Sequence, residues 1–379
     1  MKNFFRNYRT LFTGFILFVL CFFTFSCEKK EEVQEKSEPV TVRLNKYIDS
    51  VYKAENLPGI VAEIFTPEFT YKYKVGKGDL QTGVDRRYDD KIRVGSITKT
   101  FTATVILQLI QEGKFKLDDP LSKFFPEYPN SENIKIREIL DMTSGIPDFL
   151  EDPTLGNDFF YDRTAKVTEK EIFDATIKLG PAFPPGTSWQ YSNGNYNILG
   201  MIIEKVTGNK VGDEITNRII KPLGLVNTEY PVENFITGDY SHGYMTDTAT
   251  GKIIDVTIID PSITGAAGCI VSNFTDLKIY GLALAKGTML NKEMQEQRLK
   301  FVKTGIVDFA TYGLGIFNIG GFIGHNGGIT GFNTMMCYNP ELDALFLVSV
   351  NEFGPKGGAV DKIFTELAKI VYPEKNLFK

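Results

Sequence analysis

Ser96-Ile97-Thr98-Lys99 is the sharpest chemical signal in the chain. Where a helix begins at such a run, residues three apart share a face, so the serine hydroxyl and the lysine ammonium become neighbours. A serine hydroxyl is a poor nucleophile until a base takes its proton, and a lysine can take it once burial or nearby positive charge lowers its pKa. Backbone N–H groups at the same helix start favour the negative charge that develops in acyl transfer. Alone, the pattern fits a capping serine beside a solvated lysine better; its company decides. Tyr191-Ser192-Asn193 follows the loop PPGTSWQ and stands just before a helical pattern, where a phenol and a carboxamide can face a cleft. His325-Asn326-Gly327-Gly328 stands where a strand is expected to begin, before ITGF, and its two glycines let a substrate backbone lie against the strand edge.

These residues need elements to position them. A first helix is expected over 44–56, an antiparallel hairpin over 60–66 and 69–75, and a mostly apolar helix from Thr98 to Gln111. Residues 116 to about 300 change texture, with helical patterns at 134–141, 168–178, 195–206, 210–220 and 273–285 between proline and glycine loops. Period-two patterns return at 312–319, 329–339 and 343–352, before a last helix over 359–370. The expectation is an α/β fold: an antiparallel sheet built from both chain ends (44–115 and 305–379), flanked by helices, with a mostly helical region (116–304) inserted and the active site between the two.

The composition excludes several other classes. With 379 residues, 42% of them hydrophobic, the chain can bury a substantial core. Its 47 acidic and 42 basic residues give a net charge of -5, which does not ask for a nucleic-acid partner. Two histidines and four cysteines, scattered, provide no clustered ligands for zinc or iron–sulfur, and no organic cofactor is expected. Cys269 and Cys337 could pair or stay free. His242, in DYSHGYMTD, fits a surface loop better than a cleft rim.

The amino terminus reads as a targeting segment. Lys2, Arg6 and Arg9 precede the uncharged LFTGFILFVLCFFTF, and the chain turns to EKKEEVQEKSE directly after Ser26-Cys27. This resembles a bacterial lipoprotein signal. The resemblance implies a signal peptide over 1–26, lipidation at Cys27, a tether over 27–43, and an exported protein held to a membrane of the cell envelope, in the periplasm or at the outer membrane.

RVGSITKTFTA, LDDPLSKFFP, IREILDMTSGIPDF, FPPGTSWQYSNGNYNILG and GHNGGITGF, in this order and spacing, resemble the serine beta-lactamase and penicillin-recognising peptidase superfamily, in its class C beta-lactamase, D-Ala-D-Ala carboxypeptidase and esterase branch. The resemblance covers about 44–379. It implies that Ser96 is the nucleophile, that Lys99 or Tyr191 is the general base, that Asn193 bonds Lys99 and the substrate amide, and that the backbone N–H groups of Ser96 and Gly328 form the oxyanion hole. His325, where many relatives have lysine, would orient or polarise the cleft beside Gly327. Asn326 departs from the usual threonine or serine that helps hold a substrate carboxylate, which weakens a carboxylate-terminated substrate. Asp141-Met142 replace a threonine–histidine pair, a change read as packing. The implied substrate is a small molecule or a peptidoglycan peptide, hydrolysed as a D-Ala-D-Ala-type amide, a lactam or an ester. The competing reading is a non-catalytic binding or scaffold protein, which has no chemical reason to keep the whole set.

Overall fold

The computed structural model describes residues 38–355 and 357–379; the signal segment and Cys27 lie outside them. Its centre is an eight-stranded antiparallel sheet whose strands come from both ends of the chain. In chain order they are β1 (Gly59–Phe65), β2 (Thr70–Gly76), β3 (Val302–Lys303), β4 (Ala310–Tyr312), β5 (Phe317–Ile319), β6 (Phe322–Ile329), β7 (Phe332–Asn339) and β8 (Ala344–Val350). The spatial order is β2-β1-β8-β7-β6-β5-β4-β3, so the last strand pairs with the first, with Ile60 opposite Val350.

Both faces of this sheet are covered, which is why its central strands read as apolar runs rather than clean alternations. Ile60, Ala62, Ile64, Phe346, Val348 and Val350 point to one side. There they meet Leu44, Ile48 and Val51 of helix α1 (Val40–Ala54) and Ile363, Phe364 and Leu367 of the C-terminal helix. Val61, Leu345, Leu347 and Met336 point the other way, into a second and larger core shared with the helical region. Helix α2 (Thr98–Gln111) runs through that core and is buried along nearly its whole length. Further helices there are α3 (Asn193–Thr207) and α4 (Phe274–Lys286), of which α4 packs against β7 and β8, and α5 (Val360–Val371) closes the chain beside α1.

Several local expectations need correction. The run 312–319 is not one strand: a turn through Gly313 and Gly315 divides it into β4 and β5. The expected strand 329–339 begins at Phe332, and Thr330-Gly331 is the turn of a hairpin; His325–Gly328 therefore lie inside β6 rather than ahead of a strand. Helix 210–220 changes pitch, with Val211–Ile215 α-helical and Thr216–Ile220 a π-turn. Cys269 and Cys337 are both buried and unpaired.

Candidate active site

Ser96 sits on a forced turn. Gly95 has φ +54°, a left-handed conformation that side chains disfavour, and a Cβ there would lie 3.0 Å from the backbone of Gly328. One short 3₁₀ turn, Gly95–Ile97, delivers Ser96 to the start of α2. Gly327 is required from the other side, since a Cβ on it would fall 1.9 Å from the Val94 carbonyl oxygen and 3.1 Å from the Ser96 nitrogen. The two glycines let β6 close on the nucleophile turn, which brings the Gly328 backbone beside Ser96.

Lys99 is fully buried one helical turn on, and its ammonium donates to three acceptors: Ser96 Oγ at 3.0 Å, Asn193 Oδ1 at 2.7 Å and the Ala267 carbonyl at 2.8 Å. The Tyr191 and Tyr196 rings stand 4.8 and 5.7 Å from it. Burial brings its pKa down to about 7, and the nearby Asp148 carboxylate partly opposes that shift. Tyr191 lines the cleft with its ring, while its hydroxyl is buried and turned to Ser96 without a well-formed hydrogen bond. Burial raises its pKa well above the ordinary phenol value, with Tyr312 adding to the effect, so the group is a neutral phenol at neutral pH.

The structure brings Ser96, Lys99, Tyr191 and Asn193 together as expected and adds a member the motifs did not single out. Asp148 stands partly buried behind Asn193 and accepts from its Nδ2 at 2.9 Å and from the Leu150 N–H at 3.1 Å. Burial raises the pKa of this carboxyl, and the backbone bond and Lys99 hold it down. Lys99, Asn193 and Asp148 thus form a hydrogen-bonded chain from Ser96 into the protein. The only sequence signal for it was the aspartate of SGIPDF.

His325 is placed differently from the expectation. It is fully buried and does not line the cleft. Its Nδ1 lies 2.5 Å from the Asn326 carbonyl and so carries the proton, which leaves Nε2 to accept from the Tyr312 hydroxyl at 3.1 Å. Burial, and then the charge of Lys99, bring its pKa down to about 3, so it is a neutral wall behind Tyr191 and Phe317. Asn326, on the opposite face of β6, lines the cleft instead. Met142, φ +69°, accepts through sulfur from Ser192 N–H and Asn195 Nδ2, which is a packing role. His242 lies outside the cleft lining, 2.6 Å from Asp255.

The cleft over Ser96 holds about 600 Å³. Its walls are largely apolar: Leu150, Phe159, Phe160, Trp189, Ile306 and Phe317 surround the polar group of Ser96, Asn193 and Asn326. That balance suits an organic ligand with a few fixed polar groups.

A family model described as Beta-lactamase matches residues 44–369. The chain belongs to the beta-lactamase family. It is a hydrolase of that fold. Among solved structures of the family, the chain is similar to a D-stereospecific amidohydrolase from Streptomyces sp., at 32% identity and TM-score 0.78, over 86% of this chain and 98% of that one. The D-amino acid amidase from Ochrobactrum anthropi SV3 in complex with D-phenylalanine is 25% identical, with TM-score 0.78, over 88% of this chain and all of that one (100%). PbpX of Bacillus subtilis (strain 168), named as a penicillin-binding protein, is 27% identical over 327 residues, 86% of this chain and 78% of its own length.

Proposed function

We propose that the protein is a serine amidohydrolase that cleaves amide bonds beside a D-configured residue through an acyl-enzyme on Ser96; D-Ala-D-Ala-type peptides and D-amino acid amides are two such substrate classes. The observation that carries the reading is the buried Lys99 amine, 3.0 Å from Ser96 Oγ and close to half neutral near pH 7. Two structural relatives, a D-stereospecific amidohydrolase and a D-amino acid amidase, support this choice of substrate class.

Neutral Lys99 takes the Ser96 proton as Oγ attacks the substrate carbonyl. The negative charge on the carbonyl oxygen is met by the backbone N–H groups of Ser96 and Gly328. The proton on Lys99 passes through the Tyr191 hydroxyl to the leaving amine as the C–N bond breaks. Water then attacks the acyl-enzyme, giving a proton to Lys99, which returns it to Ser96 Oγ as the ester C–O bond breaks and the acid product leaves. This reading assigns the base role to Lys99 and the relay role to Tyr191, because the environment lowers one pKa and raises the other.

The test is ammonia release from D- and L-phenylalanine amide, with intact-mass measurement after adding benzylpenicillin. Preference for the D-amide is expected, with Ser96→Ala losing turnover and Lys99→Ala losing about three or more powers of ten. Near-wild-type rates in either variant overturn that residue's role. A penicilloyl adduct that forms and is rapidly lost, with hydrolysed lactam accumulating, moves the reading to a beta-lactamase. From the sequence alone we also propose export and lipid attachment at Cys27; unchanged mass and membrane association in Cys27→Ala would sink that.

A further inference from the structure

Among the described residues lining the Ser96 cleft, Asp361 is the one charged side chain. It stands in the first turn of α5, exposed to the cleft but enclosed by its walls, and accepts from Asn326 Nδ2 at 2.8 Å. Asn326 lies on β6 two residues before Gly328, so the carboxylate flanks the path a substrate takes across the nucleophile.

A helix start ordinarily attracts an anion. Here the first donor is already taken, since Val360 N–H goes to Asn333 Oδ1 at 3.0 Å, and the Asp361 N–H lies close to its own carboxylate. A substrate carboxylate arriving at this wall meets a like charge, with the Val360 donor filled. Among the described residues, no cation lines the cleft to compensate. Lys99 is buried behind Ser96 and held by three acceptors. The cleft continues past Asn326 and Asp361 into a second trough of about 610 Å³, and its lysines are engaged: Lys362 with Glu55 at 2.8 Å and Lys369 with Glu366 at 3.5 Å.

We propose that Asp361, held by Asn326, is a specificity-determining residue that turns away substrates with a free carboxylate next to the scissile amide and admits those with a neutral carboxamide or ester there. This rests on the Ser96 reading and narrows it, from carboxypeptidase substrates toward amidase substrates. An acid in a first helical turn also stabilises the helix, but that role alone leaves substrate charge irrelevant.

The experiment follows p-nitrophenyl acetate hydrolysis by the full chain, with N-acetyl-D-alanyl-D-alanine and its C-terminal carboxamide as competitors, so that the comparison is read whether or not either peptide is cleaved. At low salt the carboxamide is expected to compete about tenfold more strongly than the free acid. The ratio should fall toward one in Asp361→Asn and, independently of any substitution, in the wild type at about 1 M salt, where charges are screened within about 3 Å. Equal competition in the wild type, a preference for the free acid, no competition by either peptide, or a ratio that neither Asp361→Asn nor salt alters overturns the proposal. Absence of Ser96-dependent ester hydrolysis overturns the Ser96 reading itself, and with it this one.

Discussion

Asp148→Asn offers the sharpest test of how the nucleophile is activated. The carboxylate reaches Lys99 through Asn193, with contacts of 2.9 and 2.7 Å on either side of one amide group. That geometry sets the two charges about 7 Å apart, and at an effective dielectric of about 20 their attraction is about 2.4 kcal/mol, or about 1.7 pH units. The sign follows from the chemistry: Asp148 stabilises the ammonium form, so removing its charge lowers the Lys99 pKa and increases the fraction of neutral base. The other groups facing Lys99 are the neutral phenols Tyr191 and Tyr196 and the neutral His325, and they remain. The acid limb of kcat/KM, expected near pH 7 in the wild type, should move down by about 1–2 units in Asp148→Asn. Asparagine keeps only one of the two accepting oxygens, so about 1–3 kcal/mol of stability is also lost. A purely structural aspartate would lower the rate at every pH and leave the limb in place. An unmoved limb, or one moved upward, refutes the reasoning.

Gly327→Ala should destabilise the protein by about 1–3 kcal/mol and reduce kcat by more than about tenfold, because the new methyl pushes β6 off the Ser96 turn; thermal melts and ester kinetics read both, and normal kinetics would contradict the close approach. His325→Gln tests the neutral histidine. The folded-state pKa of about 3 lies below the unfolded value near 6.5, so the stability His325 contributes is full above about pH 6.5 and is lost as pH falls toward 3. Wild type should therefore lose about 2–3 kcal/mol more than His325→Gln between pH 7 and pH 4.5, and equal losses in urea melts at the two pH values would show that His325 titrates normally.

The parts of the site that were legible in the sequence are those built locally. Ser96 and Lys99 are joined by one helical turn, and Tyr191 and Asn193 by a single helix start, so type and spacing carry them. Asp148 and Asp361 act through Asn193 and Asn326, residues remote in sequence, and nothing about an isolated aspartate announces such a partner. In the fold, α2 and β1 were readable because each is a largely apolar run bounded by glycine or proline. Strand β6, FIGHNGGI, was not, because Gly324, Gly327 and Gly328 erase its alternation while serving the approach to Val94 and Met336. The helix Pro153–Phe160 was missed because its signal is a cap, Asp152 accepting from Thr154 N–H, rather than a long apolar stripe.

The pairing of β8 between β1 and β7 also dictates when a new chain can become active. A ribosome releases the N-terminal hairpin β1-β2 long before β8 exists, and the hairpin has no other strand partner in the sheet. Until residues 344–350 emerge, β1 cannot join β7, and α1 lacks the α5 surface against which it packs. Such distant pairings delay folding until nearly the whole chain is available. Ser96 is therefore made early and armed late, and a chain cut between Asn193 and β8 should carry the complete Ser-x-x-Lys and Tyr-x-Asn motifs and remain inert.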